Sequence, residues 1–159
     1  MLTANNSITV NVPIDRVMQL FQNQDYFKEW QDGLVGFENT SKTVGELNST
    51  RKMKIRMVGT TITMNEKITN IDLPHLWEAT YRTSGVINSQ SNRFRESEIT
   101  TDNDVQKVTQ WESESTFKFT GMMRLVAKSR PQLFTNQTYE FMKNFKKFAE
   151  THYNASTTK

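Results

Sequence analysis

The hydrophobic period of this chain changes three times, and each change limits what it can fold into. It opens on an alternating segment, passes to a spacing of three to four residues, alternates again over a long middle stretch, and ends on helical spacing. Alternation is the mark of a strand with one buried face, and spacing near 3.6 is the mark of a helix with one buried stripe. The order therefore predicts a strand, a short helical region, an antiparallel meander and a final long helix.

Ile8, Val10 and Val12 share one face of the strand expected over Ser7–Val12. Pro13 ends it and suits the first turn of a helix, where a missing N–H has no partner to lose. Ile14, Val17, Leu20 and Phe21 then recur at helical spacing, and a second short helical turn carries Tyr26, Phe27 and Trp30 up to Gly33. Between Leu34 and Ser115 the turn signals Val44-Gly45, Val58-Gly59, Asp72-Leu73-Pro74, Ser84-Gly85 and Asp102-Asn103-Asp104 divide the chain into strands.

Parity separates the faces of these strands. Over Glu46–Met57, Leu47, Met53, Ile55 and Met57 fall on one side, with Glu46, Lys52, Lys54 and Arg56 on the other. Ile62, Met64 and Ile68 are the inward set of the next strand, Trp77, Ala79 and Tyr81 of the one after, and Phe94 and Trp111 of the last hairpin. Near the end, Ser129-x-x-Gln132 resembles a capping box with Pro131 in the first turn. Phe134, Phe141, Phe145 and Phe148 follow as one stripe of a helix of five to six turns, and the polar tail 154–159 is expected to fray.

Composition bounds the rest. At 159 residues, 35% apolar and 11% aromatic, residues 1–159 are expected to form one domain with many polar side chains facing water or a wet cavity. Twenty basic and seventeen acidic residues give a net charge of only +3, so no nucleic-acid partner is expected. The absence of cysteine excludes disulfides and thiolate chemistry and fits a cytoplasmic setting. No signal-like start and no apolar run of membrane-spanning length is present, so no membrane insertion is expected.

The segment Ile8-Thr9-Val10-Asn11-Val12-Pro13-Ile14-Asp15-Arg16-Val17 resembles the strand and Pro-initiated helix that open members of the SRPBCC superfamily, which includes START-related lipid-transfer proteins and polyketide cyclase/dehydrase-like proteins. Asp25 followed by Trp30 is similar to the entry of that family's second helix. Glu66-Lys67-Ile68-Thr69-Asn70-Ile71-Asp72-Leu73-Pro74 resembles its strand and turn, with Trp77 in the strand that follows. The resemblance spans nearly the whole chain. It implies an α+β helix-grip fold, in which a curved antiparallel sheet of about seven strands closes over one long C-terminal helix and leaves a cavity between them.

The implied function is binding or transport of a small hydrophobic molecule of the lipid, polyketide or isoprenoid kind, without a cofactor or metal. The implied ligand-binding residues are Arg51, Met53, Ile55, Met64, Glu66 and Ile68 from the first long hairpin, with Trp77, Tyr81 and Trp111 from later strands. Phe134, Phe141 and Phe145 would complete the wall from the helix. The alternatives are a polyketide cyclase/dehydrase-like enzyme using Glu66, Arg51 and Tyr81 in the same cavity, and a protein-interaction module using the sheet edge or outer face.

No nucleophile elbow, phosphate-binding glycine loop or metal-ligand cluster occurs. His75 and His152 are expected to be solvated. Glu96, Glu98, Glu112 and Glu114 are expected to form an exposed cross-strand ladder with Arg93, Arg95 and Lys107. A turn over Val58-Gly59-Thr60-Thr61 sets Met57 opposite Ile62 and Met53 opposite Glu66. Arg51 then faces Ile68 and lies diagonal to Glu66 on the inward face, unless the strand twists and Arg51 reaches water instead.

Overall fold

The computed structural model describes residues 1–57 and 59–157. Strand β1 (Leu2–Val10) leads into helix α1 (Ile14–Gln22), a single 3-10 turn at Gln24–Tyr26 and the one-turn helix α2 (Phe27–Trp30). Six strands follow: β2 (Leu34–Asn39), β3 (Thr50–Met57), β4 (Thr60–Asp72), β5 (Leu76–Thr83), β6 (Val86–Thr101) and β7 (Asp104–Phe119). The chain closes with α3 (Met123–Ser129) and α4 (Gln132–Thr157).

All seven strands form one antiparallel sheet in the order β1-β7-β6-β5-β4-β3-β2, so the first strand pairs with the last. Register shifts between Leu34 and Gly36 and between Ile68 and Asn70 mark bulges, which bend the strands that carry them. Helix α4 packs on the inward face through Thr138, Met142, Phe145 and Ala149, all buried.

Helix α1 begins directly after Pro13, as its sequence requires. Its first free amide, on Ile14, is satisfied from another element: Glu96 of β6 accepts it at 2.9 Å through Oε2. Gly33, at φ +81°, lets the chain turn into β2 where a Cβ would lie 2.5 Å from the Arg56 carbonyl oxygen. The same carbonyl-side approach allows Arg56 N–H to donate to Gly33 O at 2.7 Å.

At the centre of the core, Phe21 meets Trp30, Trp77, Phe94, Trp111 and Phe145, with ring centroids 5.4 to 5.8 Å apart. Most of these contacts are edge-on, the arrangement that aromatic quadrupoles favour. Trp30, Trp77 and Trp111 are all buried.

Several expectations are corrected. The hairpin β3–β4 pairs Met57 with Thr60, Ile55 with Ile62, Met53 with Met64 and Arg51 with Glu66, two residues away from the expected register. The connection is shorter than expected, with Gly59 at φ +78°, and Val58 of the expected turn lies outside the described residues. Because the slip is even, every residue keeps its face. Glu46 and Leu47 are not on β3: they lie in the loop before it, where Ser49 N–H bonds Glu46 O and Asn48 takes φ +68°.

Ser129 does not cap α4. It ends α3, an element not foreseen, and its hydroxyl donates to Val126 O. Helix α4 runs to Thr157, so residues 154–157 of the expected frayed tail are helical. His152 is not solvated but half-buried, with ring centroids 4.8 Å from Tyr26 and 5.1 Å from Phe148; His75 is exposed. In the charged ladder Arg93 stands opposite Glu112 and Glu98 opposite Lys107, with Lys107 also 3.9 Å from Glu96.

Candidate functional site

A cavity of about 480 Å³ lies between the inward face of the sheet and α4. Its wall on β3, β4 and β5 is built by parity: Met53, Ile55, Ile62, Met64, Ile68 and Trp77 all point inward. Phe134, Thr138 and Phe141 face them from α4, and Phe27 and Trp30 close one end from α2. Two of the sheet-side residues, Met53 and Met64, are thioethers that adapt to irregular apolar shapes.

One row across this apolar wall is polar. Arg51 on β3 is paired with Glu66 on β4, Glu66 with Tyr81 on β5, and Tyr81 with Asn88 on β6. Four side chains therefore stand side by side over three inter-strand gaps, a span of about 14 Å. All four line the cavity.

The row is internally bonded. Arg51 donates through Nε to Glu66 Oε1 at 3.0 Å, and its Nη2 donates to the same oxygen. The side chains are 11% and 4% exposed, so this ion pair is withdrawn from water. The guanidinium also lies over the rings of Phe27 and Phe37, 4.7 and 5.8 Å from their centroids, which supports its charge inside an apolar shell. Arg51 Nη1 is buried without a partner among the described residues. Asn88 Nδ2 donates to Ser115 Oγ at 2.7 Å, and its Oδ1 accepts from Gln90 Nε2 at 2.9 Å.

Burial pushes the Tyr81 hydroxyl well above the usual tyrosine range, and the charge of Glu66 beside it and the hydrogen bond to that carboxylate push in the same direction. Arg51 opposes the shift more weakly. Tyr81 is thus a neutral phenol. The linkage follows in sign: above the ordinary value near 10 an unfolded chain releases this proton and the folded chain keeps it, so Tyr81 adds stability at lower pH that is lost as pH rises past about 10. Ultraviolet titration of tyrosinate is expected to show one of the four tyrosines silent until alkaline unfolding. The silent tyrosine is expected to be lost in Tyr81→Phe; an unchanged silent tyrosine in that variant sinks the assignment.

Of the expected ligand-binding residues, Arg51, Met53, Ile55, Met64, Glu66, Ile68, Trp77, Tyr81, Phe134 and Phe141 line the cavity. Trp111 and Phe145 do not. They pack against each other at 5.6 Å and against Phe21, so the aromatic cluster beside the cavity absorbs them. Asn88 and Gln90 on the wall were not foreseen, because Asn88, Gln90 and Asn92 alternate inward with side chains that read as a solvated face. The one available signal was that Asn92 lies two before Phe94, whose inward face was legible. Among the described residues no cluster of His, Asp or Glu is placed to hold a metal ion, and no helix is long and apolar enough to cross a membrane.

No protein-family model matches the chain, and no curated protein does. Solved structures do. An aromatase/cyclase from a Streptomyces species superposes with a TM-score of 0.71 at 11% identity, covering 98% of each chain. A protein from Thermus thermophilus gives 0.70 at 11% identity over 99% of this chain and 100% of its own. A norcoclaurine synthase from Thalictrum flavum, solved with a transition-state analogue, gives 0.63 at 12% identity over 95% of each. At such identities the likeness is one of fold.

Proposed function

We propose that this chain, whose architecture is the helix-grip fold of the SRPBCC type, binds a small hydrophobic molecule that carries oxygen functions along one edge. The observation that carries the reading is the polar row, Arg51-Glu66-Tyr81-Asn88, set across a largely apolar cavity wall. Apolar walls supply affinity by desolvation, and a few converging polar groups fix orientation. A lipid, polyketide or isoprenoid-like compound with a carbonyl or hydroxyl at this row satisfies both. The neighbouring aromatase/cyclase and norcoclaurine synthase folds are in keeping with small organic ligands.

Native mass spectrometry of freshly purified protein is expected to release a co-purified molecule of this class. Binding is then compared for two probes of equal size, a long-chain ketone and a hydrocarbon. Tyr81→Phe and Arg51→Met, each removing a donor that a ketone oxygen can accept from, are expected to weaken the ketone roughly tenfold, the order of one hydrogen bond in a buried site, and to leave the hydrocarbon nearly unchanged. Met64→Arg is expected to abolish both. Equal losses for the two probes in the polar variants refute the oriented ligand.

A catalytic reading of the same cavity is favoured by one observation, the neutral Tyr81 phenol bonded to the Glu66 carboxylate. Such a phenol, held neutral, can donate a hydrogen bond to a carbonyl placed against it and stabilise the charge that develops on its oxygen. Conversion of a polyketide-like substrate by the wild type and its loss in Tyr81→Phe would distinguish an enzyme from a carrier.

A further inference from the structure

The opening of the cavity lies beside a surface unlike the rest of the molecule. Four exposed wall residues, Thr60, Ser84, Leu133 and Gln137, place an opening at the tips of the β3–β4 and β5–β6 hairpins, against α3 and the start of α4, while Val44 is exposed at the other end of the cavity in the β2–β3 loop. Helix α3 buries none of its residues. Its Met123 and Val126 line the cavity, yet Leu125 is 68% exposed, with Met122 at 81% just before it and Leu133 at 39% just after. Met122 and Leu125, three apart, share one face. The helix thus carries apolar side chains both toward the cavity and toward solvent.

Charge is concentrated at the same place. Lys118, Arg124, Lys128 and Arg130 are all exposed, and no Asp or Glu occurs between Glu114 and Glu140. These four positive charges exceed the +3 of the whole chain, so the remainder is net negative by one. Among the described residues none of the four reaches a carboxylate at ion-pair distance. The helix is seated rather than loose: a Cβ on Gly85, at φ +76°, would lie 2.5 Å from Met123 Cγ, and Thr120 N–H donates to Gly85 O at 2.9 Å.

We propose that this face docks the protein on an anionic lipid bilayer, with Met122, Leu125 and Leu133 entering the boundary below the headgroups and the four cations meeting the lipid phosphates. Projecting apolar side chains ringed by cations match the order of layers that such a surface presents, an anionic sheet over an apolar interior. The docking is peripheral, and the cavity mouth then opens toward the bilayer. It stands independently of what the cavity holds, because it is read from vesicle binding alone.

The test is flotation with phosphatidylcholine vesicles, with and without phosphatidylserine. Wild-type protein is expected to float only with the phosphatidylserine vesicles and to be released by salt. Arg124→Gln with Lys128→Gln is expected to lower partitioning about 25-fold, at about fivefold for each cation. Leu125→Ser lowers it on the same vesicles with an unchanged melting curve, the residue being exposed. Wild-type protein that never floats, or variants that float as well as it does, overturns the proposal. So does a dimer in sedimentation velocity that Leu125→Ser dissociates without any effect on flotation.

Discussion

Phe145→Ala is expected to destabilise the protein by about 3–5 kcal/mol, the cost of emptying a large aromatic site in a closed core. Phe145 has no exposure and meets Phe21, Trp30 and Trp111 at 5.5, 4.9 and 5.6 Å. Those partners are held from α1, α2 and β7, so none can move in to fill the space without leaving its own element. For a chain of this length the loss lowers the melting temperature by roughly 10 °C. Phe134→Ala is the contrast. That ring touches Phe117 and Phe119 but is half-buried and faces the cavity mouth, so its removal is expected to cost about 1 kcal/mol. Urea unfolding of both variants decides the matter: equal losses would mean that the cavity and the core are not distinct regions of the helix face.

Arg51→Met is expected to cost a similar amount, about 3–5 kcal/mol, for a different reason. It leaves Glu66, with a side chain 4% exposed, as a charge without its counterion in an apolar wall. Tyr81 remains as a donor to that carboxylate but cannot replace a full charge. Adding Glu66→Met to Arg51→Met is expected to restore most of the stability, since a well-packed apolar pair often replaces a buried ion pair at little cost. A double-mutant cycle measures the coupling directly. Additive losses would show that the two side chains do not depend on each other, which would also remove the basis for treating them as one feature of the ligand site. If the double variant folds as well as the wild type, the ion pair is retained for what it does in the cavity rather than for stability.

The inward face of β3 and β4 was legible at once, because alternation reports a side of the sheet and needs no knowledge of the partner. Even the two-residue error in register left Arg51, Met53, Ile55, Met64 and Glu66 inward, since strand faces repeat every two residues. It changed only their neighbours: Arg51 stands directly opposite Glu66 rather than diagonal to it, and the polar row becomes continuous. Asn88 and Gln90 were missed because alternation is read from apolar residues, and a strand that turns amides inward carries no such mark.

Side-chain spacing along the chain was enough for the order of elements apart from α3, the inward parity of the strands, the proline-led start of α1 and the apolar stripe of α4. These are local properties, set by the spacing of side chains along one segment. Only the tertiary structure decided which members of that stripe are core and which are cavity wall. Phe141 and Phe145 sit one turn apart on α4, yet Phe141 lines the cavity while Phe145 is enclosed by Phe21, Trp30 and Trp111. A cavity exists where facing elements fail to touch. That distance depends on the bulges in β2 and β4 and on the seating of α3 against Gly85, none of which leaves a period in the sequence.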